Sequence, residues 1–311
     1  MTTPPLYQSR FFSLSLPHAA LSETSAKLIN QRLGLELASE LLQAIKVAAI
    51  VSWPLDSVAV ATSDLAQNDP QYLWLSYYLN FNNSLGIDSE SDIESDLGVE
   101  SDSKASKNLK ESLFELLDWQ CFVPEAVRFT DYLWEQNCLE CFIGGQGNAY
   151  IEINASPSGQ YAVYQFDGYR SPNVMPPRPL DTNLQPVPLN PKAIIHTSYS
   201  QQLKSAKFVS SRAHIQWQPD GVAMPHHLQS ILKVSRLFNI NNSATLSDAL
   251  DTMTSRHFRI NLSQLPETLL PVSYIHPCVI LYLAGQPLYF APRHASEPDF
   301  HDKHYWTKLS D

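Results

Sequence analysis

Four groups of residues in this chain could do chemistry. Cys138-Leu139-Glu140-Cys141 is a C-x-x-C, the spacing that redox and zinc sites use. It lies in a stretch of strand character, where residues three apart point to opposite faces, so the two thiols read as small core residues and not as joint ligands. Glu135, Glu140 and Glu152 raise acid–base glycoside chemistry, which needs two facing carboxyls. Glu135 and Glu140, five apart on one strand, would face opposite ways, whereas Glu140 and Glu152 could be neighbours on adjacent strands. His226-His227, His294, His301 and His304 invite a metal, but no acidic or Cys partner at ligand spacing completes a site, and none is expected. Gly144-Gly145-Gln146-Gly147 is glycine-rich, yet no helix follows to present its N-terminus to a phosphate, and a hairpin turn is the reading. The chain has no G-x-S-x-G, G-x-x-x-x-G-K-[ST], H-E-x-x-H or G-x-G-x-x-G. No catalytic residue is assigned, and the expectation is that the protein is not an enzyme.

The elements that would carry these residues are mostly strands. Tyr7 to Leu16 reads as a strand, and residues 21–46 as a helix, with leucines and isoleucines at helical spacing behind Ser22 and Ser25. KVAAIVSWPL (46–55) and YLWLSYYLNF (72–81) read as strands that could pair as a long-looped hairpin. A meander of three short strands follows at 139–145, 148–156 and 159–169, separated by Gly-Gln-Gly and Ser-Pro-Ser-Gly. Further strands are expected at 193–199, 206–217, 257–262, 273–285 and 287–292, with Gly285-Gln286 as the turn of the last hairpin. Short helices are expected at 228–238 and 245–256. Strands in succession with few, peripheral helices predict an all-β, two-layer antiparallel sandwich and not an α/β doubly wound sheet.

Residues 1–311 read as one such domain carrying three elaborations. An acidic insert at 83–112 places seven carboxylates between Asp88 and Asp102 and is expected to be disordered. Residues 171–191 hold seven Pro and form a crossover loop, and 225–256 is a helical elaboration. The net charge of −10 would repel a phosphate backbone and anionic lipid, so neither nucleic acid nor membrane is an expected partner. The N-terminus lacks the pattern of a secretory signal, and four Cys in so long a chain make no disulfide framework, which together suggest a reducing cytoplasm.

Tyr132-Leu133-Trp134-Glu135-Gln136-Asn137-Cys138-Leu139-Glu140-Cys141-Phe142-Ile143 resembles the family-9 carbohydrate-binding modules and their DOMON-like relatives. Tyr150-Ile151-Glu152-Ile153-Asn154-Ala155-Ser156-Pro157-Ser158-Gly159 and Tyr161 to Arg170 are similar to the bacterial DOMON-like subgroup's "Glu-Phe-Asn-x-Ser-Pro-Ser-Gly" and "Phe-Asp-Gly-Tyr-Arg" stretches. Pro298-Asp299-Phe300-His301 resembles its closing "Pro-Asp-Phe-His". About 40 residues and this tail carry the match. The acidic insert, the elaboration around 228–256, and Tyr289-Phe290 where the family has Tyr-Trp all depart from it.

The resemblance implies a non-catalytic module for a saccharide or similar small polar ligand. Trp134 would stack on a sugar ring, Glu140 would accept hydroxyl hydrogen bonds and Arg170 would donate as a fork. Tyr289 and Phe300 are candidates for the second stacking aromatic. Asn154, Asp167, Tyr169, Asp299 and His301 are the structural motif. Trp134 serves equally well as a core aromatic, with Asp167, Tyr169 and Arg170 holding a corner. Some DOMON domains bind haem through axial Met, but here only Met175 and Met224 fall near strand ends, and no cofactor is expected. A structural or interaction protein on a sandwich without a ligand remains the alternative, its protein partner docking on the acidic insert or the Pro-rich loop.

Overall fold

The computed structural model describes residues 7–17, 27, 31, 42, 44–55, 72–81, 117–180, 215–217, 228–238, 254–295 and 297–309. The expected strand at 193–199, the acidic insert, residues 206–214, 224–227 and 245–253, and most of the 21–46 helix lie outside them. Of that last stretch Lys27, Gln31, Leu42 and Ala44 are helical.

Among the described residues, eleven strands build two antiparallel sheets. The first runs β1–β2–β3–β8–β7, with β1 Tyr7–Leu14, β2 Ile45–Pro54, β3 Tyr72–Phe81, β8 Thr254–Asn261 and β7 Ile215–Trp217. The second runs β10–β9–β4–β5–β6, with β4 Cys138–Gly144, β5 Tyr150–Ala155, β6 Tyr161–Phe166, β9 Tyr274–Leu283 and β10 Gln286–Phe290; the short β11, Thr307–Lys308, pairs with β9. The expected pairing of the second and third strands is present, and the fold is an all-β sandwich. No helix among the described residues is long and apolar enough to cross a membrane.

Alternation along the strands divides each sheet into two faces. Val47, Ala49, Val51, Leu73, Leu75 and Tyr77 from the first sheet meet Leu139, Cys141, Ile143, Ile151, Ile153 and Val279 from the second, forming the core between the layers. The first sheet's other face takes the helix Leu228–Leu237, whose Val234, with Phe238 just beyond, packs on Ala48, Ile50 and Tyr78. Apolar positions at helical spacing meet apolar positions at strand spacing, and each element hides the other's backbone from water. At the centre, the Tyr77 hydroxyl crosses the core and donates to the Glu140 carbonyl at 2.5 Å.

Several boundaries shift by one to three residues from the sequence reading, and three of the differences have a clear physical reason. Thr254 to Arg256, expected to end a helix, begin β8, because their pairing with Tyr77, Tyr78 and Leu79 supplies a ladder that outweighs local propensity. Leu262, expected as the end of that strand, opens a 3-10 turn capped by the Asn261 side chain. The final hairpin turns on Ala284-Gly285, one residue earlier than expected; Gln286 already pairs with Leu283. Both turn residues have positive φ, 50° and 76°, as a two-residue hairpin turn requires.

An alanine in the left-handed region carries a steric penalty that asparagine relieves. Ala284→Asn should therefore raise unfolding free energy by about 0.5 kcal/mol in urea denaturation. Tyr77→Phe leaves a buried carbonyl without its inter-sheet donor and should cost about 1–2 kcal/mol in the same assay.

Candidate functional site

The outer face of the second sheet collects the residues singled out above. Its side chains form cross-strand rows. One row is Tyr289–Ile280–Cys138; the next is Cys278–Glu140–Asn154–Ala162; then His276–Phe142–Glu152–Tyr164; then Tyr274–Gly144–Tyr150–Phe166. All seven residues of β4 are buried, so this face is itself a second interior. What covers it is the turn at Leu133–Glu135 and the C-terminal tail from Phe300 to Trp306.

Trp134 sits in the 3-10 turn Leu133–Glu135, which follows Tyr132 at a φ of 62°. Leu133 is fully buried and anchors the turn, while Trp134 is half-buried and packs edge-on against Tyr132 at 5.3 Å and Tyr164 at 5.9 Å. Asn137 staples the following residues: its amide nitrogen donates to the Leu117 and Asp118 carbonyls, and its oxygen accepts from the Tyr282 N–H at 2.7 Å. The Tyr282 hydroxyl in turn donates to the Trp134 carbonyl. Glu135 belongs to this turn and not to the strand, so the opposite-face argument for Glu135 and Glu140 does not apply.

Glu140 is directly opposite Asn154 on the neighbouring strand and diagonal to Glu152. Burial, then the Glu152 charge, push the Glu140 carboxyl well above the usual carboxylate range; burial likewise raises Glu152, against the Asn154 hydrogen bond and the Arg170 charge. Two carboxyls this close in a desolvated layer retain a proton that isolated ones would lose. The Asn154 amide nitrogen donates to Glu152 Oε1 at 2.7 Å, while Asn154 Oδ1 is buried with no hydrogen-bond partner.

His301 closes the layer from the tail. The Arg170 backbone N–H donates to the Tyr150 hydroxyl, and that hydroxyl lies 2.8 Å from His301 Nδ1. With the Tyr150 proton directed to Nδ1, the imidazole carries its own proton on Nε2, 3.6 Å from Glu152. Burial, followed by the Arg170 charge, holds the His301 pKa down at about 4, so the contact with Glu152 is not an ion pair at neutral pH.

The expected site is thus gathered only in part. Trp134, Glu140, Tyr289 and Phe300 all belong to this layer. Phe300, however, is 8% exposed and wedged against Phe142, His276 and Tyr289, a core residue more than a stacking platform. Tyr289 is half-buried and feels the Glu140 charge, which adds to the burial that raises its pKa. Arg170 does not stand free as a fork: it pairs with Asp299 at 3.0 Å, while the Tyr169 hydroxyl donates to the other Asp299 oxygen. Burial would raise the Asp299 pKa, but these two bonds and the His301 N–H hold it down. The corner is therefore held by Tyr169, Arg170 and Asp299; Asp167 instead pairs with Arg178 at 2.7 Å.

Sequence reasoning missed Tyr282, His276 and Trp306 as members of this layer; the expected placement of Glu140 and Glu152 on adjacent strands is present, although no ligand role fell on Glu152. The period-2 pattern through Tyr150, Glu152 and Asn154 signals the last of these. Trp306 had no local signal: its ring packs on Phe142 and Tyr150 because Gly144 leaves room, a Cβ there lying 3.1 Å from the indole. Cys138 and Cys141 do face opposite ways, one in each layer, and both are free thiols. No family model, curated protein or solved structure matches the chain.

A carboxyl whose folded pKa lies above its unfolded one costs stability as pH rises from the unfolded value through the folded one. Buried neutral histidines act oppositely: His301 and His276, held down at about 4 and about 3, lose stability as pH falls below the unfolded value. Glu140→Gln removes the Glu140 share of the first slope, leaves that of Glu152, and keeps the second. It should gain about 1 kcal/mol or more over wild type at pH 8 compared with pH 4, read from urea midpoints across that range.

Proposed function

We propose that this sandwich is a non-catalytic binding module for a saccharide or similar small polar ligand, received at the Trp134 end of the outer face. The observation that carries the reading is the Glu140–Asn154 pair: a carboxyl and an orphan amide oxygen, both buried, side by side on a layer bordered by half-exposed Trp134, Tyr282 and Tyr289. Buried acceptors are rarely left unpaired without reason, and a ligand hydroxyl would satisfy the Asn154 oxygen. Half-exposed aromatic faces beside them suit the C–H surface of a sugar ring. The DOMON-like resemblance points to Glu140 as well, together with Trp134.

A second reading, a sandwich that has given up its ligand for a structural role, is favoured by Phe300 and Trp306, which fill part of the face with the chain's own side chains. Calorimetric titration with a panel of mono- and oligosaccharides separates the two. The binding reading expects saturable heat with wild type and a loss of about tenfold or more in affinity for Trp134→Ala and Asn154→Asp, each checked for intact folding by circular dichroism. Absence of heat across the panel favours the structural role.

A further inference from the structure

The opposite end of the same face carries charge of the other sign. A depression of about 510 Å³ is lined by Gln146, Gly147 and Asn148 from the β4–β5 turn, Tyr274, Trp306, and the basic residues Arg293, Lys303, His304 and Lys308. None of its lining residues is acidic, although the chain as a whole bears a net charge of −10. Arg10 adds a further cation at the rim, reaching from the first sheet to the Lys308 carbonyl at 3.0 Å.

These cations are held by neutral groups and not by carboxylates. Lys303 Nζ donates to the Gly145 and Gly147 carbonyls at 2.8 and 2.6 Å and lies 4.3 Å over the Tyr274 ring. The Arg293 guanidinium donates through Nε and one terminal nitrogen to the Tyr305 and Trp306 carbonyls. Asp302, the acid next in sequence, is turned to cap the 3-10 turn at Lys303–Tyr305. Among the described residues the ion pairs are Arg170–Asp299 and Arg178–Asp167, and neither they nor the His301–Glu152 contact involves this group. Carbonyl oxygens fix the side chains in place while leaving their positive charge unneutralised, which is preorganisation for an anion. Burial also holds the Lys303 pKa below its ordinary value, a cost that a nearby anion would offset.

We propose that this depression is a binding site for a phosphate-type oxyanion, free or carried as the monoester of a small molecule, formed by Lys303, Lys308 and Arg293. It is independent of the Trp134 end and stands or falls apart from the saccharide reading. Titration calorimetry with sodium phosphate, with glucose 6-phosphate, and with sodium chloride at matched ionic strength tests it. The expected result is saturable binding of phosphate or its ester but not of chloride, with the tighter of the two identifying the source. Lys308→Gln, at an exposed side chain with no hydrogen bond or ion pair among the described residues, and Lys303→Gln should each weaken that binding by about threefold to tenfold. Lys233→Gln, on the helix of the first sheet, should leave it unchanged. Thermal unfolding confirms that each variant is folded. A response no greater than that of chloride, or equal affinity in wild type and Lys308→Gln, overturns the proposal.

Discussion

Strand β4 is buried on both faces, and most of the second sheet's arrangement follows from that constraint. A strand with one wet face needs only one apolar side; this one needs two interiors. Leu139, Cys141 and Ile143 enter the core between the sheets, while Cys138, Glu140 and Phe142 enter a layer that the sheets alone cannot close. The chain closes it with two segments far apart in sequence, the Trp134 turn and the tail from Phe300 to Trp306. The tail is fixed by β11 pairing with β9, by the indole of Trp306 donating to the Phe300 carbonyl, and by Asp299 pairing with Arg170.

A layer made this way could have been wholly apolar, and its polar residues are therefore informative. Glu140, Glu152, Asn154 and His276 each cost desolvation in a place where Leu or Val would fit the pleat. The layer reduces that cost by pairing Asn154 with Glu152 and Tyr150 with His301, and by raised carboxyl pKa values that disfavour the charged forms. It does not remove it, since Asn154 Oδ1 and His276 Nδ1 remain without partners. The mismatch is concentrated in the two middle rows, those of Glu140 and Phe142. Rows nearer the β4–β5 turn are filled by Tyr150, Phe166 and Trp306, whose rings stack or meet edge to face.

How much of this could be read from the residues depends on the range of the interaction that fixes each part. Alternation and turn chemistry are local, and they located β1, β2, β3, the meander and β9 to within three residues. Thr254 to Arg256 were misread because their strand identity comes from β3, more than 170 positions away in sequence. The same limit governed the site. Trp134 and Glu140 were visible as a pattern, but Arg170 was given a ligand role because its partner Asp299 lies in the tail. Trp306 had no local signature, since its place depends on the missing side chain of Gly144.

The two ends of the outer face differ in sign, and the layer between them explains how they coexist. Glu140 and Gly144 are four residues apart on β4, about 13 Å at strand rise. Phe142, Tyr150 and Trp306 fill that gap with rings, and the dry contact keeps the carboxyl pair from meeting Lys303 directly. Had the gap been open, the lysine would have reached the carboxyls as an internal ion pair, lowering their pKa values and spending its own charge. Separation leaves the acids partly protonated beside the half-exposed aromatics and the cations uncompensated beside the hairpin. Each end therefore keeps unmet bonding capacity of its own kind, which is the condition under which a ligand adds more than it displaces.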